Sequence, residues 1–192
     1  EADPMDLVFY LKDSESKTTS DAGRYEIRRR YWEYALPLIQ AQHVHRGTYS
    51  NCTPTSSNTE SGYFGISGFN ISCIANYDNA RIDFYLGSSD TKKNKEAFDL
   101  LYSHKDDIDE ELGTTLEWNR ADSYKASWIC HALNGVSITN EADWPRMAKF
   151  HAEWSDKIWG LCCRTCKMAI ACACRILPES FVNGQWHGQM LI

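Results

Sequence analysis

Four charged side chains in the middle of this 192-residue chain are of the types that metal-assisted phosphodiester cleavage uses: Asp83, Asp90, Lys92 and Glu117. Acids converging across adjacent strands can hold Mg²⁺, and a lysine beside them can position or activate water. Asp83 with Asp90-Thr91-Lys92 imitates that set, but Asp90 falls in the turn before a helix rather than on the next strand. A helix cap and the wet face of a strand explain both acids without a metal. Glu117 with Lys125 forms a second set of the same kind. Thiols gather further on, where Cys163 and Cys166 form a Cys-x-x-Cys that Cys172 and Cys174 could complete. Zinc knuckles bring paired ligands from two turns. Here the second pair is spaced by one residue and no turn glycine separates the pairs, so neither zinc nor any other cofactor is expected. Arg164 and Lys167 could favour a thiolate at Cys163 or Cys166, but the surrounding βαβ pattern of a redox motif is missing.

Other constellations have plainer roles. His43 and His45 have the spacing of strand ligands but lack partners. Asp106, Asp107, Asp109, Glu110 and Glu111 lie on a helical pattern without the glycine of a calcium loop, so they read as a solvated face. No Gly-x-Ser-x-Gly elbow and no phosphate-binding glycine loop occurs. For binding without chemistry, Trp118, Arg120 and Lys125 place an aromatic near two cations that could hold a partner. Sheet-edge packing and a surface ion pair explain the same trio.

These residues sit on elements the periodicity predicts. Arg81 to Leu86 alternates, with Ile82, Phe84 and Leu86 on one face and Arg81, Asp83 and Tyr85 on the other, as in a half-buried strand. Gly87 to Asp90 ends it and caps a helix over Lys92–Leu112, whose stripe is Phe98, Leu101, Lys105, Ile108 and Leu112. Gly113 is placed for a left-handed cap. Upstream, Ile27, Tyr31, Ala35 and Leu38 predict a helix from Arg24 that Pro37 should bend or end near Leu36. Its arginines, Arg24, Arg28, Arg29 and Arg30, could grip a phosphate backbone but also suit a solvated face. Tyr63–Ile66 and Phe69–Cys73 read as short strands. Leu116–Asn119 and Lys125–Leu133 follow, with His131 partly buried. Asn140 opens a last helix with the stripe Trp144, Met147, His151, Trp154 and Ile158. The expected class is α+β, in the order α-β-β-β-α-β-β-α, with a mostly antiparallel sheet packed against helices.

Composition agrees with one folded domain, since 43% of residues are hydrophobic and 12% aromatic. The net charge of −6 argues against unspecific attraction to phosphates or anionic lipid. No basic-then-apolar leader and no membrane-length apolar run appears, so a cytoplasmic location with no membrane partner is expected. Residues 1–22 read as a linker or the remnant of an upstream domain, with Leu7–Leu11 as its last strand. Residues 23–159 form the domain, and the Cys-rich tail 160–192 is expected to lie outside the fold.

The stretches Arg81-Ile82-Asp83-Phe84-Tyr85, Asn94–Tyr102, Leu116–Arg120, Lys125-Ala126-Ser127 and Trp144-Pro145 resemble an uncharacterised prokaryotic family of domains of unknown function. Members of that family often follow a PD-(D/E)XK nuclease-like domain, some in restriction or defence proteins. The resemblance runs from about Gly23 to Trp159 and brings no catalytic residues with it. It implies a non-catalytic accessory or recognition domain whose partner is an upstream nuclease-like domain or a protein, with nucleic acid as a further candidate. The alternative expectation is a Mg²⁺-dependent PD-(D/E)XK-like nuclease built on Asp83, Asp90, Lys92 and Glu117.

Overall fold

The alternation around Asp83 is the frame of the molecule. Ile82, Phe84 and Leu86 are fully buried, and Arg81 and Tyr85 keep solvent contact on the opposite side of the same strand. The computed structural model describes residues 4–43 and 47–173, with side chains over 22–43 and 47–160. Its elements in chain order are α1 (Pro4–Gln42), β1 (Thr59–Tyr63), β2 (Phe69–Ala75), β3 (Asn79–Leu86), α2 (Thr91–Tyr102), α3 (Lys105–Leu112), β4 (Glu117–Asn119), β5 (Ser127–Asn134) and α4 (Trp144–Ala173). A 3₁₀ turn, Glu141–Asp143, leads into α4. The strands make one five-stranded sheet in the order β1-β2-β3-β5-β4, every neighbouring pair antiparallel. The class is α+β, as the sequence predicts.

The helices lie on one face of the sheet. Helix α4 packs on β2 and β3, α2 on β3 and β5, and α1 on α4. Arg30 meets Glu141 at the start of α4, at 2.7 Å, while His43 Nε2 lies 2.8 Å from Ser155 Oγ further along it, so α1 and α4 run in the same direction. A buried histidine joins this layer to the sheet. His151 Nε2 lies 3.1 Å from the Ile74 carbonyl, which can only accept, so Nε2 holds the proton. Nδ1 then accepts from the Tyr31 hydroxyl at 2.7 Å. Full burial favours the neutral ring and pushes its pKa down to about 4.

The local signals act largely as predicted. Asp90 caps α2 by accepting from Lys93 N at 3.2 Å, and Gly113 takes the left-handed conformation (φ 67°) behind α3. The α4 stripe buries Trp144, Met147, His151 and Ile158. Of the four α1 arginines that could grip a phosphate backbone, Arg29 pairs with Glu26 and Glu33, and Arg30 with Glu141.

Other expectations are corrected. Helix α1 runs from Pro4 through the Leu7–Leu11 island, which is therefore helical and not a strand. Pro4 stands at the first helical position, where a missing N–H is harmless, and no further proline intervenes before Pro37. Pro37 does not end the helix. It faces solvent, and the Glu33 carbonyl it leaves without a donor lies on the same wet side. Leu38 is 48% exposed, and the buried stripe is instead Tyr31, Trp32, Ala35, Leu36 and Ile39. Strand β1 runs from Thr59 to Tyr63, upstream of the expected Tyr63–Ile66. The predicted single helix over Lys92–Leu112 divides at Ser103-His104, where His104 N bonds back to Leu101 O in a tighter turn. Helix α4 continues past Trp159 to Ala173, because no glycine or proline falls between 161 and 173 to stop it.

Candidate interaction surface

Antiparallel register turns the alternation of each strand into rows of side chains across the sheet. On the face away from the helices, one row reads Tyr63, Asn70, Tyr85, Trp128, Asn119 from β1 to β4. The next reads Ser61, Ser72, Asp83, Cys130, Glu117. Tyr63 is 58% and Tyr85 39% exposed, and Trp128 is half-buried. The Tyr85 ring folds across Gly87, where a Cβ would sit 2.0 Å from Cε1, so only glycine admits that pose.

The middle of the second row, Ser72, Asp83 and Cys130, is buried, while Ser61 and Glu117 at its ends are exposed. Asp83 is buried, with Arg81 Nη2 donating to Oδ2 at 2.8 Å and Nε at 2.7 Å from Oδ1, a contact ion pair whose Nε–H is not aimed along a hydrogen bond. Burial raises the pKa of Asp83 and Arg81 draws it back down. Cys130 is buried beside it. Burial, then the charges of Asp83 and Glu117, push its thiol up to about 12, so it stays protonated. That thiol donates to Glu117 Oε2 at 3.5 Å, and Asn119 Nδ2 donates to Oε1 at 2.8 Å. Both bonds favour the carboxylate, and the Glu117 pKa is lowered. Glu117 remains exposed.

Of the acids and lysine singled out in the sequence, register brings Asp83 and Glu117 into one row on either side of Cys130. Asp90 is used as a helix cap away from them, and Lys92 is exposed and pairs with Glu96 at 3.6 Å. Among the described residues, no three or more His, Cys, Asp or Glu side chains lie close enough together to hold a metal ion. His43 is buried against Ser155 and the Tyr49 ring; His45 lies outside the described residues. Cys163, Cys166 and Cys172 fall on the C-terminal part of α4, with their side chains outside the described set, and Cys174 lies outside it altogether.

The expected trio of Trp118, Arg120 and Lys125 does not form one patch. Trp118 turns to the helix-covered face, against Phe98 and Tyr102, with Nε1 3.4 Å from Asp109 Oδ1. Arg120 binds Asp99 through two bonds, at 2.7 and 3.0 Å, and also Asp122. Lys125 is exposed on the loop before β5.

Sequence reasoning missed the residue that builds that loop. Lys95 is buried on α2, and its ammonium donates to the carbonyls of Arg120, Ala121 and Ala126 and to Ser127 Oγ, the last two at 2.8 and 2.9 Å. Burial and the Arg120 charge lower its pKa. Neighbouring Asn94 donates to the carbonyls of Ser88 and Lys125, both at 3.1 Å. Residues 120–126 are thus wrapped around a cation, with Ala121 at φ 53°. A buried lysine at helical spacing reads in sequence as a stem covering apolar surface, and nothing local announces its acceptors, which lie 25 to 32 residues away. The loop presents Tyr124, 66% exposed, edge-on to Trp128 at 6.3 Å.

A family profile matches residues 27–159, over two thirds of the chain. The chain belongs to DUF4268, a family described as a domain of unknown function. No curated protein and no solved structure matches it. The DUF4268 region spans all five strands, the loop held by Lys95 and the packed parts of α1 and α4. Stretches on which the resemblance rests, Asn94–Tyr102, Leu116–Arg120 and Lys125–Ser127, are the ones that Asn94, Lys95 and Arg120 tie together. Among the described residues of this DUF4268 chain, no helix is long and apolar enough to cross a membrane.

Proposed function

We propose that this DUF4268 chain is a non-catalytic recognition domain, accessory to a nuclease-like unit of a restriction- or defence-type protein in the cytoplasm, and that it reads its partner with the open sheet face. The association with a nuclease rests on the family resemblance of the sequence. The observation that carries the recognition role is the row Tyr63, Tyr85, Trp128, set across four strands on the face away from the described helices and extended by Tyr124. Amphipathic aromatics on a rigid scaffold supply contact area at little conformational cost, which is why they dominate binding hot spots. The side chains that could do chemistry are engaged locally: Asp83 by Arg81, Asp90 as a cap, Lys92 by Glu96.

One observation favours a second reading. Asp83 and Glu117 stand in one row, so a Mg²⁺-dependent PD-(D/E)XK-like activity would use that pair with a lysine brought in by substrate binding. Two measurements separate the readings. The chain is incubated with plasmid DNA and Mg²⁺, and no cleavage is expected; cleavage abolished by Asp83→Ala or Glu117→Ala would overturn the recognition role. The chain and its Tyr85→Ser/Trp128→Ala variant are then purified with their associated proteins from the native cells. Partners present with the first and absent with the second are expected, and identical sets would remove the sheet face from the reading.

A further inference from the structure

The electrostatics of the open face say what kind of partner it suits. Glu117 is exposed at the β4 edge, diagonal to Trp128 across the β4–β5 pair, with the side chains of Glu117, Asn119, Trp128 and Cys130 on the same side of the sheet. Its carboxylate is held in place by Asn119 and Cys130. Of the cations nearby, Arg81 is committed to the buried Asp83 and Arg120 to Asp99 and Asp122, while Lys125 stands exposed on the loop. Trp128 and Tyr124 meet edge to face beside this acid. Aromatic π faces attract cations, and a neighbouring carboxylate adds to that attraction. The same acids repel a phosphate backbone, and the chain as a whole is at −6.

We infer that the partner is a basic polypeptide segment, placing an arginine or lysine over the Tyr124–Trp128 rings and against the Glu117 carboxylate. This rests on the recognition role given above. Lys95 is the positioning residue of the site: it orders the backbone of residues 120–126, and with it the approach of Tyr124 to Trp128. Charge complementarity thereby selects protein over nucleic acid, and Lys125 provides the discriminating control. On this loop Lys125 would be the natural phosphate contact, whereas toward a basic segment it is at best neutral.

The test uses the full chain labelled with ¹⁵N and three probes of matched length: an arginine–threonine repeat peptide, a glutamate–threonine repeat peptide and a thymidine oligonucleotide. The basic peptide is expected to shift the Trp128 indole signal and the amides of residues 120–130. Glu117→Gln should weaken that binding roughly three- to tenfold and Trp128→Ala about tenfold or more, with Lys125→Ala unchanged or tighter. Lys95→Met should broaden the loop amides and weaken binding while the β2 and β3 amides stay in place. Shifts of the same signals by the acidic peptide or the oligonucleotide, or loss of binding in Lys125→Ala, would overturn the basic partner and leave the sheet face as a recognition surface. Binding of the basic peptide with shifts only at remote residues would reject the face itself. Silence toward all three probes would reject the basic partner.

Discussion

The two faces of one sheet are built from the same strands, a residue apart, and they follow opposite rules. On the covered face Ile82, Phe84, Leu86 and Ile71 are closed off from water, and buried polar groups link the helices to the sheet, as in the Tyr31–His151–Ile74 chain. The open face keeps its tyrosines in water and sinks Asp83, which is more buried than Tyr85 on the same strand, while Glu117 stays exposed at the sheet edge. A surface serving only solubility would place its charges outermost and its rings beneath. The inversion at the centre of this face leaves rings to meet a partner, with Asp83 fixed below them and Glu117 open at the β4 edge.

The comparison breaks most visibly at Phe84 and Tyr85, adjacent residues on opposite faces. Phe84→Ala should cost about 4 kcal/mol of stability in urea titration, and Tyr85→Ala about 1 kcal/mol or less. Equal losses would mean that the open face is covered in solution.

A second prediction concerns the pairing within the covered face. The His151 pKa is near 4 in the fold and near 6.5 when unfolded, so between those values the unfolded chain binds the extra proton. Its contribution is complete above pH 6.5 and is lost as pH falls toward 4, about 3 kcal/mol in all. His151→Gln can still donate to Ile74 O and accept from Tyr31 without titrating. Its urea stability should therefore fall less than the parent's over that window, and parallel profiles would refute the assignment.

The smallest effect sharpens the comparison at the open face. Lys95→Met strips four acceptors of their shared donor and should cost about 2 kcal/mol, with faster amide exchange over residues 120–126 and little change in β2.

What the sequence discloses follows the range of the interaction. Alternation in β3, the Asp90 cap, the Gly113 cap and the α4 stripe depend on residues within a few positions, and all are legible. The α1 stripe differs from its sequence pattern: Leu36 and Ile39 are buried and Leu38 is not, because the α4 contact selects a different side of the helix. The Tyr63–Tyr85–Trp128 row could not be read, because register joins positions far apart and the strand pairing fixes it only in three dimensions. Asp83 and Glu117, alike in chemistry, do share a row, whereas Asp90 and Lys92 belong to the helix they introduce.

The placement of β5 also bears on synthesis. Last of the described strands to be made, it occupies an interior slot, between β3 and β4. One side of β3 therefore waits without its ladder while α2, α3 and β4 emerge from the ribosome, and the gap fills only after Asn134 has been added. Until then a nascent chain exposes an open template for mispairing, so slow translation between Leu86 and Asn134 prolongs the interval in which aggregation competes with folding.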